Sequence, residues 1–193
     1  MSKPVDAWPA PPVHQGLVAL QPLRTELLDL DTAAYLASPD AIRAHSAGSW
    51  PVEGFTTAAN RELIARHEAE HDTGEAFAYS IPANDRRLEY GCAYLRRLAD
   101  FCQRTGTVIH AMPDEGAIAT FWAIDDATSR PRHTDLLGEI AAWVGAWGAA
   151  PWVLRVLPAE AETIAAAAEL GMRELGAHHQ QLPYRWFQPA RGV

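Results

Sequence analysis

The feature that most constrains this chain is a change of hydrophobic period near its middle. Between Asp29 and Asp72 the apolar residues recur at helical spacing, interrupted by Pro39 and by the glycine-flanked stretch Gly48 to Gly54. From Glu75 onward they gather instead into aromatic and β-branched runs at Glu75–Ile81, Leu88–Leu95 and Ala117–Ile124. Such runs, separated by turns such as Asn84-Asp85, predict an antiparallel meander. The helical period then returns. Thr134 predicts a cap for a helix whose Leu136, Leu137, Ile140, Ala141, Val144 and Trp147 form one apolar face, closed by Gly148. Trp152–Leu157 predicts another strand, Ala159–Leu170 another helix, and Met172–Leu175 and Leu182–Phe187 two final strands.

The front half completes the plan. Gly16–Leu20 predicts a first strand, Asp29 and Asp31 begin a helix that ends near Pro39, and a short helix runs from Ile42 to Ala47. Thr56 or Thr57 caps a longer helix to about Asp72, supported by the Glu62–Arg66 pair. The long connection from Ala99 to Gly116 calls for function or a small helix of its own. This order predicts a mixed α/β domain: a central twisted sheet of six to seven strands flanked by about four helices. Residues 1–12, with Pro4, Pro9, Pro11 and Pro12, read as a stiff arm, and residues 13–193 as the single domain.

Charge narrows the partners. The 24 acids outweigh 16 bases, for a net charge of −8, and only Lys3 among the bases is a lysine. No broad basic face remains for nucleic acid, no apolar run approaches a membrane span, and no leader peptide is expected. Two cysteines, Cys92 and Cys102, make no disulfide framework and suit a cytoplasmic protein.

Several joints carry a family likeness. They are Leu20-Gln21-Pro22-Leu23 before the Asp-rich helix start, Ser38-Pro39-Asp40-Ala41-Ile42, Gly91, Phe121-Trp122, and Leu170-Gly171-Met172. In this order the chain, from about residue 17 to 187, resembles the GNAT superfamily of acyl-CoA-dependent N-acyltransferases, and most closely its ribosomal-protein alanine acetyltransferase branch. The resemblance implies transfer from acetyl-CoA to the amine of a small molecule or peptide, and a homodimer. It also implies two splayed parallel strands, Ala117–Ile124 and Trp152–Leu157, with the pantetheine held by main-chain groups of Trp122, Ala123 and Ile124.

The same likeness exposes departures. The family's phosphate loop is glycine-rich, whereas the stretch from Thr128 to Thr134 has no glycine, and Pro131 offers no N–H. Arg130, Arg132, His133 and Thr134 are the candidates to meet the phosphates through side chains. Ala167 stands where the family's acidic tyrosine would be, Glu160 where it has an asparagine, and Ile118 where its alanine-acetyltransferase branch can have a glutamate base. Substitute proton carriers are Asp125 and Asp126 at the end of a strand, His110 in the long connection, and Tyr184 on the last strand. Trp50 and Phe55 are candidates to line the acceptor pocket, while Trp143, Trp147 and Trp152 read as core.

Two other readings stand beside the transferase. The missing glycines and tyrosine fit a catalytically inactive member of the fold that binds a ligand or a protein. His67-Glu68-Ala69-Glu70-His71 matches the H-E-x-x-H pattern of zinc hydrolases, with Glu68 as the base. Its third ligand would fall on Phe77, which cannot coordinate, and its flanks read as an exposed helix end. No metal is expected.

Overall fold

The computed structural model describes residues 8–189 apart from residues 52–53, 111, 114, 127, 129, 149–150 and 179–181. The N-terminal segment leads into a small hairpin, β1 (His14–Gln15) and β2 (Ala19–Pro22). Next come α1 (Leu28–Ala37), α2 (Pro39–His45) and α3 (Thr57–Thr73). Thr56 accepts a hydrogen bond from the Ala59 N–H at the start of α3, and Gly74 closes it in the left-handed region.

The meander follows as β3 (Ala76–Pro82) and β4 (Glu89–Arg97), then α4 (Leu98–Thr105), β5 (Val108–Ile109) and β6 (Ala117–Ala123). The chain closes with α5 (His133–Trp147), β7 (Trp152–Val156), α6 (Ala161–Glu169), β8 (Arg173–Leu175), β9 (Ala177–His178) and β10 (Arg185–Gln188). One mixed sheet runs β1-β2-β3-β4-β6-β7-β10-β8, and β5 pairs with β9 apart from it. Among the described residues, eight strands in the main sheet and six α-helices exceed the expected numbers because the first strand is a hairpin and the long connection holds α4.

Alternation along β6 sorts the core into layers. Ala117, Ala119, Phe121 and Ala123 face the cluster that includes Leu136, Leu137, Ile140 and Trp143 of α5. Small alanines on this face leave room for the indole of Trp143. Ile118, Thr120 and Trp122 point the other way, toward α1, α2 and α3. β4 follows the same rule, pairing Cys92 with Trp122, Tyr94 with Thr120, and Arg96 with Ile118. Gly91 is required here: its φ is +152°, and a Cβ would lie 1.9 Å from the Trp122 carbonyl oxygen.

Residues 1–7 of the proposed arm lie outside the described residues. The rest of it is docked: Trp143 Nε1 donates to the Pro12 carbonyl at 2.8 Å, Trp147 Nε1 to that of Pro9 at 2.9 Å, and the Tyr79 hydroxyl to that of Pro11. The tryptophan stripe therefore packs the core with its rings and holds the arm with its N–H groups. No described helix is long and apolar enough to cross a membrane.

Candidate active site

The site begins where two strands part. β6 and β7 are parallel and paired only at Ala117–Trp152, Ile118–Val153 and Ala119–Leu154. Beyond Ala119, β6 continues to Ala123 without a described strand partner on that edge, while β7 keeps its pairing with β10 on its other edge from Leu154 to Val156. Unpaired main-chain groups at the mouth of an opened sheet are free to bond an extended ligand.

Two cavities flank this split. The first encloses about 330 Å³. Its floor is the face of the sheet carrying Tyr94, Arg96, Ile118, Thr120, Trp122 and Arg155, and α2, α3, α4 and the Ser46–Trp50 loop wall it in. The second, about 290 Å³, runs past Trp122 and Ala123 to the start of α6 and includes Asp40, Asp125, His133, Glu160 and Glu162. Trp122 lines both.

A carboxylate–imidazole pair stands where the cavities meet. His45 Nδ1, at the end of α2, lies 2.8 Å from Glu160 Oε1, and both side chains are largely buried. Glu160 Oε2 accepts the Leu157 N–H at 2.6 Å, which fixes the carboxylate in place. His45 also stacks on Tyr94, with ring centroids 5.9 Å apart. The carboxylate selects the His45 tautomer with a proton on Nδ1 and leaves Nε2 able to accept one.

The expected site residues divide. Trp50 lines the first cavity, its loop pinned by Ser46, whose hydroxyl accepts the Trp50 N–H and donates to the Trp50 carbonyl. Phe55 sits behind it, packed edge-on against Trp50 and Tyr35. Asp125 borders the second cavity, whereas Asp126 accepts from the Thr128 N–H and hydroxyl in an exposed turn. His110 is exposed and lines neither cavity; its N–H bonds the Gly176 carbonyl. Tyr184 lies beneath the guanidinium of Arg155, as a support and not on the cavity wall.

The cationic loop differs most from expectation. Arg130 is buried, donating from Nε to the Ile124 carbonyl, from one terminal nitrogen to the Pro131 carbonyl, and from the other to Glu162 at 2.6 Å. Both main-chain groups of Ile124 already have partners, its carbonyl accepting from Arg130 and its N–H donating to the Tyr90 carbonyl. Arg132 pairs with Asp135 and Glu169. The Thr134 hydroxyl donates to Glu169 instead of capping α5, which already begins at His133. His133 is tilted over Phe121 and bonded to Thr163, and burial, aided by the Arg130 charge, pulls its pKa down to about 4.

The H-E-x-x-H histidines are buried, not at the exposed helix end that the sequence suggested. His67 bonds Glu70 at 3.2 Å and tilts against Tyr94, while His71 packs against Phe77 and Tyr79. Burial lowers the His71 pKa, the reverse of a helix-dipole effect. Among the described residues the one group with metal-like proximity is Asp31, Glu89 and Cys92. Burial raises all three of their pKa values, Asp31 to about 6, so protons stabilise this cluster.

Three residues of the site lay outside the expectations: His45, Tyr94 and Arg155. Glu160 was visible only as a departure from a pattern. A signal for Arg155 did exist, since it is the one charge in the apolar strand Trp152–Leu157.

A mixed sheet opened by a splayed parallel pair, with helices on both faces, is the fold of the GNAT acetyltransferases. No protein-family model matches the sequence, and no curated protein matches it. Solved structures do. RimL, a ribosomal L7/L12 alpha-N-protein acetyltransferase in complex with coenzyme A, superposes with a TM-score of 0.66 at 12% identity, covering 93% of this chain and 96% of that one. The ribosomal-protein-S5-alanine acetyltransferase from Vibrio fischeri gives 0.63 at 9% identity over 93% and 96%. The microcin C7 self-immunity acetyltransferase MccE, in complex with acetyl-CoA and AMP, gives 0.62 at 11% over 90% and 91%.

Proposed function

We propose that this chain is an N-acyltransferase that moves an acetyl group from acetyl-CoA to the amine of a small molecule or peptide. The parting of β6 and β7 after Ala119 and Leu154 carries this reading, because it opens unpaired main chain beside two joined cavities. The free edge of β6 at Trp122 and Ala123 suits the pantetheine arm. The first cavity suits the acceptor, with Trp50 on its wall.

The transfer forms a C–N bond and breaks a C–S bond, so the amine must lose a proton and the leaving thiolate must gain one. His45 Nε2 takes the first proton, held in register by Glu160, and the resulting imidazolium returns it to the sulfur. This pair replaces the proton carriers missing from the sequence pattern. Residues 13–193 act as one cytoplasmic domain and residues 1–12 as its arm, with no nucleic-acid or membrane partner; pairing into a homodimer rests on likeness to the family.

Titration of acetyl-CoA by calorimetry and thermal shift tests the coenzyme half; no binding at millimolar concentration ends the transferase reading. Glu160→Gln keeps the acceptor for the Leu157 N–H but loses the negative charge. It is expected to lower kcat about 100-fold with acetyl-CoA binding and Tm little changed. An unchanged kcat removes the pair from the mechanism.

One observation favours a second reading, a non-catalytic binding module. Arg130 and Arg132, the cations available to the pyrophosphate, are already paired with Glu162, Asp135 and Glu169. Failure of acetyl-CoA to bind would select this module.

A further inference from the structure

The first cavity has an unusual charge for this protein. Among the described residues its wall carries Arg66, Arg96 and Arg155 together with His45 and His67, and no carboxylate, although the chain as a whole is at −8. Arg96 bonds Glu70 at 3.1 Å, and Arg66 is exposed at the rim. Arg155 is different. It stands on β7 at the first position beyond the last β6–β7 pair, and strand alternation puts it on the face of Val153, where it lines the cavity.

Its guanidinium carbon lies 4.8 Å from the Tyr184 ring centroid and 5.4 Å from that of Phe101. These two ring contacts hold the guanidinium in place. No described residue accepts a hydrogen bond from it or pairs with it. Glu160 acts on it through space, but that carboxylate is bonded to His45 and to the Leu157 N–H. Burial holds the Arg155 pKa below its ordinary value, with Arg96 and Arg104 adding to the effect. A half-buried, pre-oriented fork of donors without an acceptor is stabilised by a planar anion of matching geometry.

We propose that the acceptor carries a carboxylate beside its amine, and that Arg155 binds this carboxylate in the first cavity. This rests on the transferase reading and narrows its substrate class to amino-acid-like amines or peptides with an acidic first residue. A volume of about 330 Å³ admits one residue of that kind. The carboxylate lodges on Arg155 while the amine faces His45, both of which line the cavity.

Acetyl-CoA-dependent thiol release is to be measured with L-amino acids and their carboxamides, and with tetrapeptides beginning Asp or Glu and their Asn or Gln counterparts. At least one carboxylate form is expected to exceed its amide by about tenfold in kcat/KM, mostly through KM. Arg155→Gln should bring the ratio to within about twofold, and Arg155→Lys should keep part of it. Preference in the free amino acids or in the peptides identifies the source of the carboxylate. Equal rates for every matched pair, or a preference unchanged in Arg155→Gln, overturn the proposal. Thermal shift by the same amino acids and peptides without acetyl-CoA separates the two failures. A shift that depends on Arg155 supports the carboxylate site even where transfer is absent, and its absence from a folded wild-type protein refutes the site.

Discussion

Arg130 and Arg155 are both guanidiniums withdrawn from water beside the same split sheet, yet they are built in opposite ways. Arg130 satisfies its donors internally, on two carbonyls and Glu162. Arg155 rests on two aromatic rings and gives its N–H groups to no described residue. The contrast teaches that the cations nearest the expected phosphate site belong to the scaffold. Arg155, bonded to none of the described residues, lies in the other cavity, on an otherwise apolar strand.

The largest effect should come from removing each in turn. Arg130→Met leaves the buried Ile124 carbonyl without its partner and should cost about 3 kcal/mol in chemical denaturation. Arg155→Met should change stability by less than about 1 kcal/mol, since it exchanges a desolvated charge without an ion-pair partner for apolar packing. Equal losses would erase the distinction.

A second test uses pH. The folded pKa of His133, near 4, lies below its ordinary 6.5, so the unfolded chain binds the extra proton between them. Stability from this group is present above pH 6.5 and is lost as pH falls toward 4. Asp31 runs the other way: its pKa rises from 3.8 to about 6, so its contribution is fullest below pH 4 and is lost as pH rises through 6, and Glu89 acts in the same direction. Each slope reaches at most about 1.4 kcal/mol per pH unit. The two oppose each other in overlapping windows. His133→Gln should therefore leave stability falling more steeply from pH 4 to 6, and Asp31→Asn should make the fall shallower, as read from urea midpoints. A flat profile in both variants would contradict the assigned burial.

The smallest effect concerns the coenzyme. Glu162 is a mostly exposed acid on the second cavity and the partner of Arg130. Glu162→Gln should tighten acetyl-CoA by a few-fold at low salt, with the gain shrinking as salt rises. Weaker binding would mean that the Arg130–Glu162 pair shapes the groove instead of repelling the phosphates.

Much of this molecule was legible before any coordinates. The period change after Asp72 placed β3, β4 and β6, the apolar face from Leu136 to Trp147 placed α5, and Trp152–Leu157 placed β7. These elements are local: 3.6- and 2-residue periods are written in neighbouring residues. Gly91, noted only as one joint among several, proved to sit where the Trp122 carbonyl leaves no room for a Cβ. The candidate site was read less well. Trp50 reached the cavity, but Tyr184 became a support, and Arg130 and Ile124 took each other as partners. Pairing across such separations leaves no periodic trace.

By itself the sequence determined the order of helices and strands, the acidic balance, the lack of glycine from Thr128 to Thr134 and the presence of a lone arginine in an apolar strand. Only the tertiary structure decided which charges are free. Whether a cation meets a ligand or a neighbour depends on which acids the fold brings within about 3 Å. For Arg130 that acid comes from α6, 32 residues away. For Arg155 no described residue supplies one, since its strand has no β6 partner at that residue and its side chain lines the open cavity.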